Sequence, residues 1–206
     1  METIMTTLTT KAVFSDDGRK RYLLEKVWDD SKPSLAVLMI APSDASGVAL
    51  DNSTLLVLNN ASRLGYGSVA VLNLFATLTD FSLRRAESED PENIKVIVEA
   101  AEKADAVIYA PGVGKAKSKV FQKRQEQVLA ALRPFEGKLN CLCDAHGNAR
   151  LQHPLSPAVR TWYLSSFKVE ELLPKQEKPN EAAPQKKKGR KVVEKKEADT
   201  HEPVSE

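Results

Sequence analysis

The stretch from Leu35 to Ala76 constrains the fold more than any other part of the chain. It opens with an unbroken apolar run, Leu35–Ile40, which is typical of a strand covered on both faces of a sheet. A loop of turn-forming residues follows, and the polar residues 51–53 offer an N-cap for a helix. Val69–Phe75 is a second apolar run, interrupted by Asn73. The order strand, helix, strand predicts a βαβ unit.

The same alternation continues along the chain. Asp90 followed by Pro91 is a strong signal for the start of a helix. An apolar strand at Ala106–Ala110, a helix from Ser118 to about Leu132 and a strand at Leu139–Cys143 come next. We therefore predict an α/β fold, a three-layer αβα domain with a mainly parallel central sheet. In such sheets ligands bind beyond the carboxyl ends of the strands, so the loops there are the first place to look for function.

Composition divides the chain into one domain and two appendages. We predict a flexible N-terminus over residues 1–19 and an α/β domain over residues 20–168, in which Arg21–Trp28 is an edge strand. From about Pro174 onward Lys, Glu, Pro, Gln and Ala dominate, and large apolar residues almost vanish. Such a segment cannot bury enough surface to offset its ordering entropy, so residues 169–206 are predicted to be a disordered, charged tail.

Several classes of protein are disfavoured by the sequence. The N-terminus lacks the basic region and apolar block of a secretory signal. No apolar run approaches the roughly twenty residues that cross a bilayer, so we expect no membrane partner. Cys141 and Cys143 are too close in sequence to staple a fold, and they lack the usual C-x2-C spacing of a zinc site. We interpret them as small buried apolar residues, and we expect a cytoplasmic protein without a metal or cofactor.

Three residues at predicted strand ends are candidate catalytic residues. Asn73 interrupts an apolar strand, and a buried carboxamide either ties loops together or faces a ligand. Asp44 follows the first core strand, where it could orient water or contact a sugar hydroxyl, or simply form a turn. His153 lies in a loop stiffened by two prolines, where histidine can act as an acid, a base or a donor to developing negative charge. A solvated loop histidine is the alternative.

Glycines and a lysine after the third core strand suggest an anion site. The segment Pro111–Ser118 fails the P-loop pattern, because one residue rather than four separates its glycines and Lys115 is followed by alanine. Backbone N–H groups and lysines before a helix start still suit an anion, and a solvated turn is equally compatible. The candidate ligand-binding residues are Pro42, Ser43, Gly112, Gly114, Lys115 and Ser156.

The predicted tail carries a basic segment that could contact a polyanion. It contains no aromatic residue for base stacking, so any nucleic-acid binding should be independent of sequence and sensitive to salt. A protein partner or a purely solubilising role is the alternative. The cations concerned are Lys186, Lys187, Lys188, Arg190 and Lys191.

Several short motifs, taken together, resemble a family known as domain of unknown function 1643, found in bacteria, archaea and their viruses. The resemblance runs from about Arg21 to Ser156. Its motifs are RYLLEKVW, IAPSDAS, LDNST, LGYGSVAVLNLFA, DPEN, APGVG and QHPLS. More distantly, the layout resembles the uracil-DNA glycosylase superfamily, whose members carry a proline-containing loop after the first core strand and a His-Pro-Ser-type loop after a late one. This second resemblance implies that Asp44 orients water and that His153 assists departure of a base.

The first functional hypothesis is therefore a nucleotide- or nucleic-acid-related protein, glycosylase-like in its sharpest form, with its site at the strand carboxyl ends. The alternative is a non-catalytic binding module of a virus or mobile element that uses the same crevice or the basic tail. Ala41, which stands where the family pattern has asparagine, favours this alternative. The sequence does not decide between an enzyme and a binding module.

Overall fold

A single sheet organises the part of the chain described by the computed structural model, which is residues 1–43, 47–78, 82–83, 86, 89–114, 118–148 and 150–173. Its strands are β1 (Thr9–Phe14), β2 (Arg21–Val27), β3 (Ser34–Met39), β4 (Ser68–Asn73), β5 (Ala106–Tyr109), β6 (Leu139–Cys143) and β7 (Tyr163–Ser166). They lie in the order β1-β2-β4-β3-β5-β6-β7.

Three α-helices of the described residues pack on this sheet. They are α1 (Asn52–Arg63), α2 (Pro91–Lys103) and α3 (Lys119–Leu132). The side chains of Asp51, Asp90 and Ser118 each accept a hydrogen bond from a backbone N–H of the helical turn that follows. These caps confirm the helix starts indicated by the sequence.

The sheet separates two apolar clusters, which gives the domain three layers. α1 covers one face, where Val57 and Ala61 belong to the same buried cluster as Val37 and Val71. α2 and α3 cover the opposite face, whose buried residues include Ala36, Leu38, Leu72, Leu74, Ile97, Val128 and Leu132. The α/β class and the βαβ unit β3-α1-β4 are as predicted.

The sheet is mixed, so the prediction of a mainly parallel sheet was wrong. β4, β3, β5 and β6 form a parallel centre, whereas β1 with β2, β2 with β4, and β6 with β7 pair antiparallel. The reason lies in the connections, because residues 15–20 alone join β1 to β2 and a parallel crossover needs a dozen or more. The strand expected at the edge, Arg21–Trp28, corresponds to β2, which is internal because β1 lies outside it.

Both ends of the predicted domain carry ordered structure in the described residues. β1 falls within residues 1–19, which the sequence suggested to be flexible, and it pairs along its length with β2. Val169 is fully buried and begins a short 3-10 turn, Val169–Glu171. The basic segment of the predicted tail lies outside the described residues. No helix in the described part is long and apolar enough to span a bilayer.

Candidate functional site

A crevice opens where the chain connections diverge at the carboxyl ends of the central strands. β3 leads to α1 on one face of the sheet, whereas its two neighbours, β4 and β5, lead to α2 and α3 on the other. Such a switch point is where open α/β sheets bind ligands. The loop that follows β6 reaches this point and brings His153 to it.

His153 is held by its own loop in one tautomer. The backbone N–H of Leu155 donates to Nδ1 of His153 at 3.2 Å, so the neutral ring carries its proton on Nε2. Burial lowers the pKa of His153 below its ordinary value of 6.5, and the nearby Asp51 carboxylate offsets part of that effect. At neutral pH the side chain is therefore an uncharged Nε2–H donor.

Gly112 packs directly against this histidine. Its φ of +80° is a left-handed conformation that side chains other than glycine rarely adopt. A Cβ at Gly112 would lie 3.1 Å from the Cβ of His153 and 3.6 Å from its backbone nitrogen. The glycine thus serves the close approach of the β5 and β6 loops. Gly114, by contrast, has open space around its Cβ position.

Asp51 connects three parts of the crevice. It caps α1 by accepting a hydrogen bond from the Thr54 backbone at 2.8 Å. Burial raises the pKa of Asp51, but hydrogen bonds from Thr54 and from the Ser43 side chain outweigh burial and leave it below its ordinary value. Its negative charge faces both Arg21 and His153. The Asp51 carboxylate therefore raises the pKa of both the buried Arg21 and the candidate histidine, in each case against the effect of burial.

Asn73 supplies a buried carboxamide with unused hydrogen-bonding capacity. It is 1% exposed, and among the described residues neither Oδ1 nor Nδ2 has a hydrogen-bond partner. Leu72 and Leu74 belong to the cluster under α2 and α3, so alternation along the strand places the Asn73 side chain on the α1 face. That is the face and the sheet edge at which Asp51 begins α1. The sequence allowed two roles for Asn73, which were tying loops together and facing a ligand. Among the described residues, the Asn73 side chain does not tie loops together.

The remaining predicted site residues fall into two groups. Pro42 is buried and Ser43 lies in the crevice, where its carbonyl accepts from Arg21 Nη1 at 3.1 Å. Ser156 donates through Oγ to Gln152 at 2.8 Å, within the same loop as His153. Asp44, Lys115 and the five tail cations lie outside the described residues.

Two buried cations on β2 were missed from the sequence. Arg21 is 2% exposed and Lys26 is fully buried, and both donate to carbonyls of the loop between β3 and α1, Lys26 Nζ to Gly47 at 2.7 Å. Strict alternation from Lys26 would bury Tyr22 rather than Arg21. The pairing of β1 with β2 shifts near Arg21, which a local pattern does not reveal.

Exposed apolar side chains adjoin the polar residues of the crevice in sequence, and we call them its apolar rim. The loops concerned are the one between β3 and α1, the one after β5 and the one after β6. Each carries an exposed large aliphatic side chain. Leu50 precedes Asp51, Val113 follows Gly112, and Leu155 is two residues from His153. The rim also includes Val48 and Leu55. Polar groups set within an apolar rim suit a ligand with apolar faces and a polar edge.

A separate groove of about 310 Å³ lies on the α2 face of the sheet. It includes Ser34 and Ser68, at the amino ends of β3 and β4, and so lies away from the crevice. The charged groups of this groove are surface side chains. The crevice, by contrast, contains Asn73, whose buried polar atoms have no partner among the described residues. For this reason we place the candidate site at the carboxyl ends of the strands. The groove is lined by Lys11, Val13, Leu23, Glu25, Ala70, Val96, Glu99 and Lys103, among others.

Comparison with known proteins gives one family. A family model described as Protein of unknown function (DUF1643) matches residues 21–155, which confirms the first of the two resemblances. No curated protein and no solved structure matches the chain. The resemblance to the uracil-DNA glycosylase layout is therefore not supported by these comparisons. The matched residues include Arg21, Asp51, Asn73 and His153.

Proposed function

The chain belongs to the family described as Protein of unknown function (DUF1643), and we propose that its matched region binds a nucleobase, as part of a nucleotide or a nucleic acid, in the crevice at the carboxyl ends of β3 to β6. The observation that carries the proposal is Asn73, buried with both amide atoms uncommitted. A carboxamide offers one donor and one acceptor side by side, and base edges offer the complementary pair. A phosphodiester or a sulfate offers acceptors only, so it would leave Oδ1 unsatisfied.

The surroundings of Asn73 support a planar heteroaromatic ligand. The exposed aliphatic rim, represented by Leu50, Val113 and Leu155, suits the apolar faces of a base. His153 adds an uncharged Nε2–H donor for a ring carbonyl. The crevice thus combines apolar contacts for the ring with polar contacts for its edge, the combination typical of small-molecule sites.

Glycosylase-like chemistry is the catalytic form of this proposal. When the N-glycosidic bond breaks, its electron pair passes to the base and the negative charge spreads onto the ring carbonyls. Water adds to the sugar carbon, and its proton is transferred to solvent or to the departing base. His153 Nε2–H would stabilise the developing charge, which is the usual function of a fixed donor in an active site. Asp44, to which the resemblance gives the role of orienting water, lies outside the described residues.

A specific observation favours the rival, binding without chemistry. The Asp51 carboxylate already accepts hydrogen bonds from the Thr54 backbone and the Ser43 side chain, and its charge faces Arg21 and His153. A carboxylate engaged in this way is a poor general base, because accepting a proton would disrupt its partners. Under this rival the crevice would recognise a base and leave it intact.

Binding of free bases tests the proposal. We expect ligand-observed NMR to show that the wild-type chain binds at least one of uracil, cytosine, adenine, guanine and hypoxanthine, and that Asn73→Ala weakens this binding about tenfold or more. Asn140→Ala is the matched control, since Asn140 lies on β6 and its side chain donates to the carbonyl of Lys138. Absence of binding to every base, or equal affinity in wild type and Asn73→Ala, contradicts the proposal.

Release of a base separates the two forms of the proposal. The full chain is incubated with single- and double-stranded DNA that contains uracil or another modified base, beside His153→Ala. Release that depends on His153 supports the glycosylase form. Binding of a free base without release from any DNA supports the non-catalytic form.

A further inference from the structure

A buried polar cluster on the α2 and α3 side contacts the end of β4 from behind the crevice. Asn93 Nδ2 donates both to the carbonyl of Asn73, at 3.0 Å, and to the carbonyl of Leu74, at 3.1 Å. Arg124 Nε donates to the same Leu74 carbonyl at 2.6 Å. Asn93 and Arg124 are both fully buried. The two carbonyls that flank Leu74 are thus held by side chains of two helices.

These contacts lie where the pairing of β2 with β4 is interrupted. The last register pair of the two strands is Leu24 with Val71, and the next backbone contact along this side joins Arg21 N–H to the Ala76 carbonyl at 2.8 Å, so Asn73 lies in the gap between them. On the other side, β3 still holds β4, since Leu74 N–H donates to Met39 at 2.9 Å. The side chains of the helices therefore restrain the backbone beside Asn73 where β2 does not, while β3 holds its other side.

The cluster is itself fixed in place. Asp90 accepts from the Asn93 backbone at 3.1 Å and from Lys20 Nζ at 3.0 Å, and its own carbonyl lies 3.5 Å from Arg124 Nη1. Burial lowers the pKa of Arg124, and Asp90 offsets part of that effect. Within the described part of the chain, Asn93 Oδ1 and Arg124 Nη2 have no hydrogen-bond partner. Well-packed apolar residues often stabilise a protein as much as such buried polar groups do, which argues for a role beyond stability.

We infer that Asn93 and Arg124 are positioning residues for the candidate site. By holding the carbonyls of Asn73 and Leu74, they fix the backbone from which the Asn73 carboxamide projects toward the crevice. The inference rests on the proposed function in one respect, that Asn73 contacts the ligand. The positioning of the carboxamide does not depend on which ligand is bound, so it can be tested without one.

Asn93→Ala in the full chain tests this inference against a matched control, Asn60→Ala. Asn60 is a buried asparagine of α1 that also donates to two carbonyls, those of Leu56 and Arg160. Both variants remove buried hydrogen bonds, so both should lower the midpoint of urea unfolding. Only Asn93→Ala should move the side-chain amide signals of Asn73 in an NMR spectrum, where those signals are assigned by their disappearance in Asn73→Ala.

The same two variants are then compared for binding of whichever base the wild-type chain binds best. We expect Asn93→Ala to weaken binding about tenfold and Asn60→Ala to leave it within about twofold of wild type. Unmoved Asn73 amide signals in Asn93→Ala, or equal movement in both variants, overturns the inference. If Asn93→Ala does not fold, Asn93→Ser, which retains one donor, is judged by the same criteria. If the chain binds no base, only the proposed function is contradicted. The amide signals of Asn73 still test whether Asn93 positions its side chain.

Discussion

At the scale of single residues, Asn73 ties the fold to function most directly. A buried carboxamide without partners costs on the order of 1 to 3 kcal/mol, and both of its polar atoms are in that state here. An apolar residue at this position would continue the run of β4 without that cost. The site therefore retains a side chain whose hydrogen bonds a ligand or solvent must complete.

His153 should titrate below its ordinary pKa. Burial disfavours the imidazolium, and the Asp51 carboxylate only partly compensates, so we expect NMR titration of the ring C–H signals to give a pKa below 6.5. In the window between that pKa and about 6.5, the unfolded chain binds a proton that the folded chain does not. The stability associated with neutral His153 is therefore present above pH 6.5 and is lost as the pH falls through this window.

The consequence for stability can be measured with His153→Gln. We expect the free energy of unfolding by urea to fall less between about pH 7.5 and about pH 5 in this variant than in wild type, because the variant lacks the titrating group. His146→Gln, at an exposed turn position, is the control and should behave as wild type does. Equal decreases in wild type and His153→Gln would contradict the assignment.

Substitution of Gly112 should disturb the site through both its conformation and its contacts. A left-handed φ costs a residue with a Cβ about 1 to 2 kcal/mol, and the added methyl would press on His153. We expect Gly112→Ala to be destabilised by at least that amount in urea unfolding and to shift the ring signals of His153. Gly114→Ala, whose Cβ would meet nothing within 4 Å, should do neither.

The sequence identified some of these residues and missed others for identifiable reasons. Asn73 breaks an apolar run and His153 sits in a proline-stiffened loop, and both signals are local. Arg21 is buried where the pairing of β2 with β1 shifts, and β1 lies in residues 1–19, which were not predicted to form a strand. Asp51 was one of three candidate helix caps over residues 51–53, and its influence on His153 arises only when the loops after β3 and β6 meet.

At the scale of elements, the start of α1 combines a structural role with an electrostatic one. Asp51 both caps the helix and presents its charge to His153, and Asp51→Asn separates the two roles because asparagine caps a helix about as well as aspartate. We expect Asp51→Asn to lower the pKa of His153 further, since the carboxylate raises it. Asp51→Ala should lose the cap as well, at a cost of about 1 kcal/mol. An unchanged His153 titration in Asp51→Asn would contradict this arrangement.

The elements themselves were predictable to different degrees. The central strands are apolar along most of their length because both faces are covered, and the helices carry explicit caps, so both kinds of element were identified. β1 and β7 are partly exposed and lack the unbroken apolar run of the central strands. The antiparallel direction of β2 against β4 depends on partners remote in sequence, which explains why a mixed sheet was taken to be mainly parallel.

At the scale of the whole molecule, the two proposed modes of nucleic-acid binding can be distinguished by experiment. The crevice would contact a single base through Asn73 and His153, whereas the tail would contact phosphates through charge alone. Base recognition depends on a few fixed polar contacts and should change little with salt. Phosphate binding releases counterions, so its affinity falls steeply as the salt concentration rises.

Neutralising the charge of the tail should therefore weaken phosphate binding and leave base recognition unchanged. In the full chain, Lys186, Lys187, Lys188, Arg190 and Lys191 are replaced together by glutamine. We expect retention of duplex DNA of arbitrary sequence to weaken, and the slope of log affinity against log salt to become shallower by about one for each phosphate that the tail no longer neutralises. Binding of a free base in the crevice should stay as in wild type. Asn73→Ala should instead weaken binding of the base and leave retention of DNA as in wild type. An unchanged salt dependence in the neutralised chain would mean that the tail is not the surface that holds DNA.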